Sequence, residues 1–170
     1  KVAEVMGRLR GQLDRTISSV RQIARQVHPD LLDRVGLVPA LAVLIDDVEE
    51  RTGLAAFFVC DPRVKEIDGD ILLNAALYRI VQEALTNVVR HAGATSVEVH
   101  LRVEHDELVL EVEDNGKGFE EGEYDANGSL GLKGMQERVE TIDGSLSIAG
   151  RKGKGTTVTV KTKKGLRAAC

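Results

Sequence analysis

Val2, Met6, Leu9, Leu13, Thr16, Val20, Ile23 and Val27 recur at alternating intervals of four and three residues. That is the a/d seam of a coiled coil or a helical bundle. Ile17 and Ala24 widen the stripe and favour a bundle over a bare two-stranded coil. Such a helix cannot bury its seam alone, so a second helix or a second copy of the chain is expected against it. The pattern is already running at residue 1, which predicts a piece cut from a longer protein. His28-Pro29 ends the helix, because proline disfavours helical geometry in the residue before it. Residues 29–36 read as a linker. Pro39 suits the first turn of a new helix. Leu41, Leu44, Ile45 and Val48 give that helix an apolar face, and Gly53 stops it. AAFFVC, residues 55–60, reads as a buried strand, with Asp61-Pro62 turning the chain out.

The strongest helical pattern follows, from Asp70 to Ala92, with Asp68 or Asp70 as its cap. Leu77, Val81, Ala84 and Val88 form one apolar stripe. At ~100° per residue, Arg79, Gln82 and Thr86 fall on the far, solvent side. Glu83, Asn87 and His91 stack along the flank of the stripe, where a helix leaves the core. A carboxylate, an amide and an imidazole placed there can face a bound, charged ligand, or simply form a solvated helix edge.

Two alternating segments, VEVHLRV and ELVLEVE, turn at His105-Asp106 and predict a β-hairpin. Asp114-Asn115-Gly116 closes its second strand, and a glycine-rich polar loop is expected to about Leu130. A short helix over Met135–Ile142, ended by Gly144, precedes a last hairpin, LSIAG and TTVTVKT joined by RKGKG. This order predicts an α+β, two-layer sandwich: helices on one face of a mixed, mostly antiparallel sheet, preceded by the long heptad helix.

The 170 residues suffice for one domain with an appendage, and 42% apolar with 29% charged residues is ordinary for a soluble protein. A net charge of −4 without a basic block gives no reason to expect nucleic acid as a partner. Residues 161–167 read as a basic, solvated strand end. No apolar run approaches the ~20 residues of a membrane span, so no membrane contact is expected. Cys60 and Cys170 make no disulfide framework, consistent with a reducing, cytoplasmic setting.

The 17 glycines carry more, because many cluster after residue 110 in DNGKGF, NGSLGLKG and GRKGKGT. Asp114 at a strand end can accept a hydrogen bond from an exocyclic amine such as adenine's. Gly116 and Gly118 let backbone approach a flat ring without a Cβ clash. The same residues also make an ordinary turn. Gly131-Leu-Lys133-Gly134-Met135 leads into a helix, whose exposed N–H groups can hold phosphate or be capped in the usual way. The GxxxxGK[ST] phosphate loop is absent.

Taken together, the motifs resemble the Bergerat-type ATP-binding fold of sensor histidine kinases, gyrase-like ATPases and certain chaperones. The N box of that family is matched by Glu83-Ala-Leu-Thr-Asn87 with Val-Val-Arg90-His91-Ala. Its first glycine box is matched by Asp114-Asn-Gly116-Lys-Gly118-Phe119, its second by Gly131-Leu-Lys133-Gly134-Met135, and its closing threonine strand by Gly153-Lys-Gly155-Thr156. All occur in order, and the resemblance covers roughly Leu37 to Thr162. His28-Pro29-Asp-Leu31-Leu32-Asp-Arg-Val-Gly36-Leu37 is similar to the junction before the ATP domain in the nitrate-sensor and DesK-like branch of sensor kinases. The short stretch between Phe119 and Gly131 agrees with the reduced lid of that branch.

The resemblance implies residues 1–28 as the second helix of a dimerisation hairpin, 29–36 as a linker and 37–170 as an ATP-binding catalytic domain. It implies ATP and Mg²⁺ as cofactors. Asn87 would be the Mg²⁺ ligand, and Glu83 the catalytic residue that orients, or takes a proton from, the attacking histidine or a metal-bound water. Arg90 and His91 would meet phosphates or lid groups. Asp114 would read adenine with support from Thr156. Gly116, Gly118, Gly131 and Gly134, with Lys133 among them, would wrap the phosphates. IARQVH is superficially similar to the phosphoacceptor signature of this branch, but proline follows His28 where the family has an acid. His28 is therefore read as a junction residue, and the acceptor is expected on a helix elsewhere in the parent protein. The implied partners are that phosphoacceptor helix, a response regulator and, in the parent, a second copy of the chain. Two other functions are weighed against this one: an anti-sigma-type serine kinase, and a non-catalytic nucleotide-binding dimerisation module.

Overall fold

The computed structural model describes residues 32, 34–66, 70–119 and 130–163. The heptad helix expected over 1–28, the His28-Pro29 junction, the alternative cap Asp68, the glycine-rich loop expected over 120–129, the last basic positions and Cys170 lie outside them. Within the expected linker, Leu32, Arg34 and Val35 are helical, Leu32 is buried in the core, and the Gly36 N–H donates to the Leu32 carbonyl at 2.9 Å.

Helix α1 (Leu37–Thr52) buries Leu41 and Ile45, with Leu44 and Val48 packed beside them. It ends where Gly53 adopts φ 71° and donates its N–H to the Glu49 carbonyl. Only glycine enters that left-handed conformation without a Cβ penalty, so the stop is written in the residue type. Strand β1 (Ala55–Cys60) follows, then a 3-10 turn (Pro62–Glu66) and helix α2 (Ile71–Asn87). Asp70 is the cap of α2, its carboxylate accepting the Leu73 N–H at 3.0 Å. Strands β2 (Ser96–Glu104) and β3 (Glu107–Asp114) are joined by His105 and Asp106, both at positive φ, as in a two-residue type I′ turn. Helix α3 (Leu130–Thr141) and the hairpin β4 (Ser145–Arg151) and β5 (Gly155–Thr162) complete the order.

The sheet runs β1-β2-β3-β5-β4, with β1 and β2 parallel and every other pair antiparallel. The helices cover one face, and the core lies between them and Val97, Val99, Leu101, Leu108, Leu110, Val112, Val158 and Val160. This is the α+β sandwich expected.

Three local expectations are corrected. AAFFVC is not a buried strand: it is the sheet edge, and Phe57 and Val59 point outward at 53% and 54% exposure. The helices pack on one face of the sheet, so alternate residues of an all-apolar edge strand point away from that core. Arg79, Gln82 and Thr86 are half-buried rather than solvent-facing, because α2 lies between α1 and α3. They bond one another locally, Arg79 to the Gln82 side chain and Thr86 to the Gln82 carbonyl. The last helix starts at Leu130, not Met135, so Gly131 and Gly134 are helical. Each glycine costs a helix up to about 1 kcal/mol against alanine. Contacts of Leu132 and the buried Met135 with the core outweigh that cost here.

Candidate functional site

The stacked residues of α2 lead into the site. The α-helix ends at Asn87, with the Val88 N–H still donating to the Ala84 carbonyl, and Val88–Ala92 form a π-helical turn closed by Gly93 at φ 61°. Such widened turns are frequent at functional sites. Opposite them, β3 ends at Asp114. The Asn115 side chain fastens that end, its Oδ1 accepting the backbone N–H groups of Thr95 and Ser96 at 2.9 Å each and its Nδ2 donating to Thr95 Oγ1 at 2.8 Å. The Lys117 N–H donates to the Ala92 carbonyl at 2.9 Å, and the Gly153 N–H to the Lys117 carbonyl at 2.6 Å. Residues 115–118 are thereby tied to the π turn on one side and to the β4–β5 turn on the other.

Between these segments lies a cavity of ≈ 310 Å³, at the small end of the range for small-molecule sites, about 300–1,000 Å³. Val112, Leu132, Met135, Ile148 and Val158 supply apolar walls, and Phe119 also lines it. The polar groups reaching it are Asn87, His91, Asp114, Lys117 and Thr156. Asp114 is 4% exposed, and its Oδ1 accepts the Gly116 N–H at 2.7 Å. A carboxylate held in an apolar slot needs a donor partner, because desolvation without one is costly. A flat heterocycle bearing an exocyclic amine fits both the walls and that requirement.

Glycines make the close approaches. A β-carbon on Gly116 would stand 2.5 Å from the Ala92 carbonyl oxygen and 2.8 Å from Asp114 Oδ1. One on Gly118, already at φ 60°, would collide with the Arg151 carbonyl.

Of the residues singled out in the sequence, Asn87, His91, Asp114, Gly118 and Thr156 line the cavity, and Gly116 supports Asp114 from behind. Glu83 is half-buried one turn before Asn87 and rests against Gly131; neither lines the cavity. Gly134 lies under the Arg138 guanidinium, while Lys133 and Arg90 are exposed and outside the lining. Lys117 and the apolar walls were not singled out as site residues. Met135 and Phe119 sit inside the glycine motifs, and the alternation of LSIAG and TTVTV marks Ile148 and Val158 as inward-facing. Among the described residues no group of three or more His, Cys, Asp or Glu side chains could hold a metal ion. A divalent cation fits beside Asn87 only with phosphate and water oxygens completing its shell, as magnesium commonly binds.

Residues 73–166 match the family described as histidine kinase-, DNA gyrase B-, and HSP90-like ATPases. The chain belongs to that family. It is 32% identical over 154 residues to the oxygen sensor histidine kinase NreB of Staphylococcus carnosus, covering 91% of this chain and 44% of that protein. It is 36% identical over 156 residues to the sensor histidine kinase ComP of Bacillus subtilis, covering 91% and 20%. The chain thus spans less than half the length of these relatives. Among solved structures, the blue-light activated histidine kinase of Erythrobacter litoralis EL346 superposes with a TM-score of 0.68 at 20% identity, over 87% of this chain and 50% of that one. The histidine kinase AdeS of Acinetobacter baumannii does so at 0.62 and 15%, over 95% and 93%. At such identities these two likenesses speak for the fold.

Proposed function

We propose that this chain is the ATP-binding catalytic part of a bacterial two-component sensor histidine kinase, directing the γ-phosphoryl group of ATP to a histidine on a helix of the same parent protein. The observation that carries the reading is the buried Asp114 carboxylate in an apolar slot whose rim bears Asn87, His91 and Lys117. The curated relatives favour it over a serine kinase or a non-catalytic dimerisation module.

Bound ATP would supply the transferable phosphoryl group, and Mg²⁺ would supply counter-charge to its phosphates. Asp114 would accept the adenine amine, with Thr156 beside it. Asn87 would give Mg²⁺ a side-chain oxygen, while His91 and Lys117 face phosphate or ribose. Gly116 and Gly118 keep the backbone close to the ring, and Gly131 and Gly134 let Glu83 and Arg138 lie against α3. Glu83 would orient the attacking imidazole or take its proton. Catalysis by such a site is positioning and charge neutralisation. The parent protein, membrane-attached or soluble, would act as a homodimer with this part in the cytosol and relay phosphate to a response regulator.

Base selectivity tests the reading. Guanine carries a carbonyl where adenine carries its amine, so it would set one acceptor against another at Asp114. Calorimetric titration should show ATP bound at least about tenfold more tightly than GTP, the difference expected for one charge-assisted hydrogen bond. Equal affinities would overturn the assignment of the slot to adenine.

A further inference from the structure

Beside the cavity is a notch between α2 and α3 that holds two opposite charges. At ~100° per residue, Gly131, Gly134 and Arg138 share one flank of α3, next to the face that buries Met135 and Val139. A β-carbon at 131 would collide with Glu83 Oε1, so the carboxylate of α2 rests on that glycine. A β-carbon at 134 would stand 2.7 Å from Arg138 Nη1 and 3.7 Å from its Cζ, so the guanidinium lies over the second glycine. One helix flank thus seats a carboxylate and a guanidinium three residues apart.

Among the described residues, Glu83 and Arg138 form no ion pair with each other or with any other side chain. Arg138 is half-buried and folded back along α3, towards the end of the helix where the backbone dipole is positive. A half-buried guanidinium without an ion-pair partner is costly, and an anion within its reach relieves that cost. Glu83 precedes Asn87 by one turn on α2, so the notch adjoins the Asn87 end of the cavity, away from the Asp114 carboxylate that reads the base. Lys117 is the motif cation that lines the cavity; Arg138 stands just outside the lining, as do the exposed Arg90 and Lys133.

We propose that Arg138 is a further phosphate-binding residue, its guanidinium contacting the terminal phosphate of the nucleotide beside Glu83. This rests on the nucleotide reading given above. The planar fork of arginine matches phosphate oxygens bidentately, and lysine lacks that geometry. A contact to the third phosphate separates ATP from ADP, which a structural role for Arg138 would not do.

The test is calorimetric titration of the wild-type chain, Arg138→Gln and Gly134→Ala with ATP and with ADP, both with Mg²⁺. Wild type should prefer ATP, and Arg138→Gln should lose about tenfold or more in ATP affinity with ADP affinity little changed. Gly134→Ala displaces only the far end of a flexible side chain and improves helix propensity. It should therefore keep or raise the thermal midpoint while lowering the ratio of ATP to ADP affinity. Equal losses for the two nucleotides, or no loss, would overturn the Arg138 contact while leaving adenine binding intact. Failure of the wild-type chain to bind either nucleotide would overturn the nucleotide reading and this contact with it.

Discussion

Asp61 and Arg63 show how far one side-chain pair reaches in this fold. Arg63 Nε donates to both Asp61 oxygens at 3.1 and 3.0 Å, and its Nη2 reaches the Val103 carbonyl at 2.8 Å, pinning the 3-10 turn to β2. The Arg63 hydrogen bonds hold the Asp61 carboxyl down to about 2, against an ordinary value near ~3.9. Its folded value lies below its unfolded one, so the stability it contributes is complete above pH ~4 and is lost as pH falls towards 2. Arg63→Ala should return the Asp61 carboxyl to the ordinary range in an NMR titration. A midpoint that stays near 2 would contradict the cause given. Residue-level chemistry of this kind was only partly legible in the sequence. Asp114 and Asn87 stand in recognisable spacing, but the seat of Glu83 on Gly131 joins residues 48 positions apart. No local pattern encodes it.

Among the elements, α2 is the one the site depends on, and its start and end are specified differently. Its start is a conventional cap, and Asp70→Ala should cost about 1 kcal/mol in reversible denaturation. An unchanged midpoint would show that the cap bond contributes nothing. Its apolar stripe, Leu77, Val81, Ala84 and Val88, is buried as the periodicity predicts. Its end was not legible, since nothing in VVRHA distinguishes a π turn from a fifth α-helical turn. The difference follows from tertiary bonds such as Lys117 N–H to the Ala92 carbonyl. Helix α3 shows the opposite failure. Propensity marks Gly131 and Gly134 as loop, yet packing draws them into the helix, and their missing side chains admit Glu83 and Arg138. Strand β1 failed for a third reason: composition reports apolar residues but not whether a strand is central or at an edge.

For the whole molecule, the site forms where the helical layer meets the sheet, with α2 and α3 flanking the ends of β3 and β5. On the proposed reading, the base would sit against the end of β3 and the phosphates towards α2 and the start of α3. The account stands or falls on whether Asp114 anchors the ligand. Asparagine in its place preserves volume and can still accept the Gly116 N–H, but it turns an amide donor or a neutral oxygen towards the base in place of a charged acceptor. The decisive measurement is calorimetric titration of the wild-type chain and Asp114→Asn with ATP, in the presence and absence of Mg²⁺. The account predicts saturable, Mg²⁺-enhanced binding by the wild type and at least about tenfold weaker binding by the variant. Equal affinity for ATP in the two proteins would contradict it.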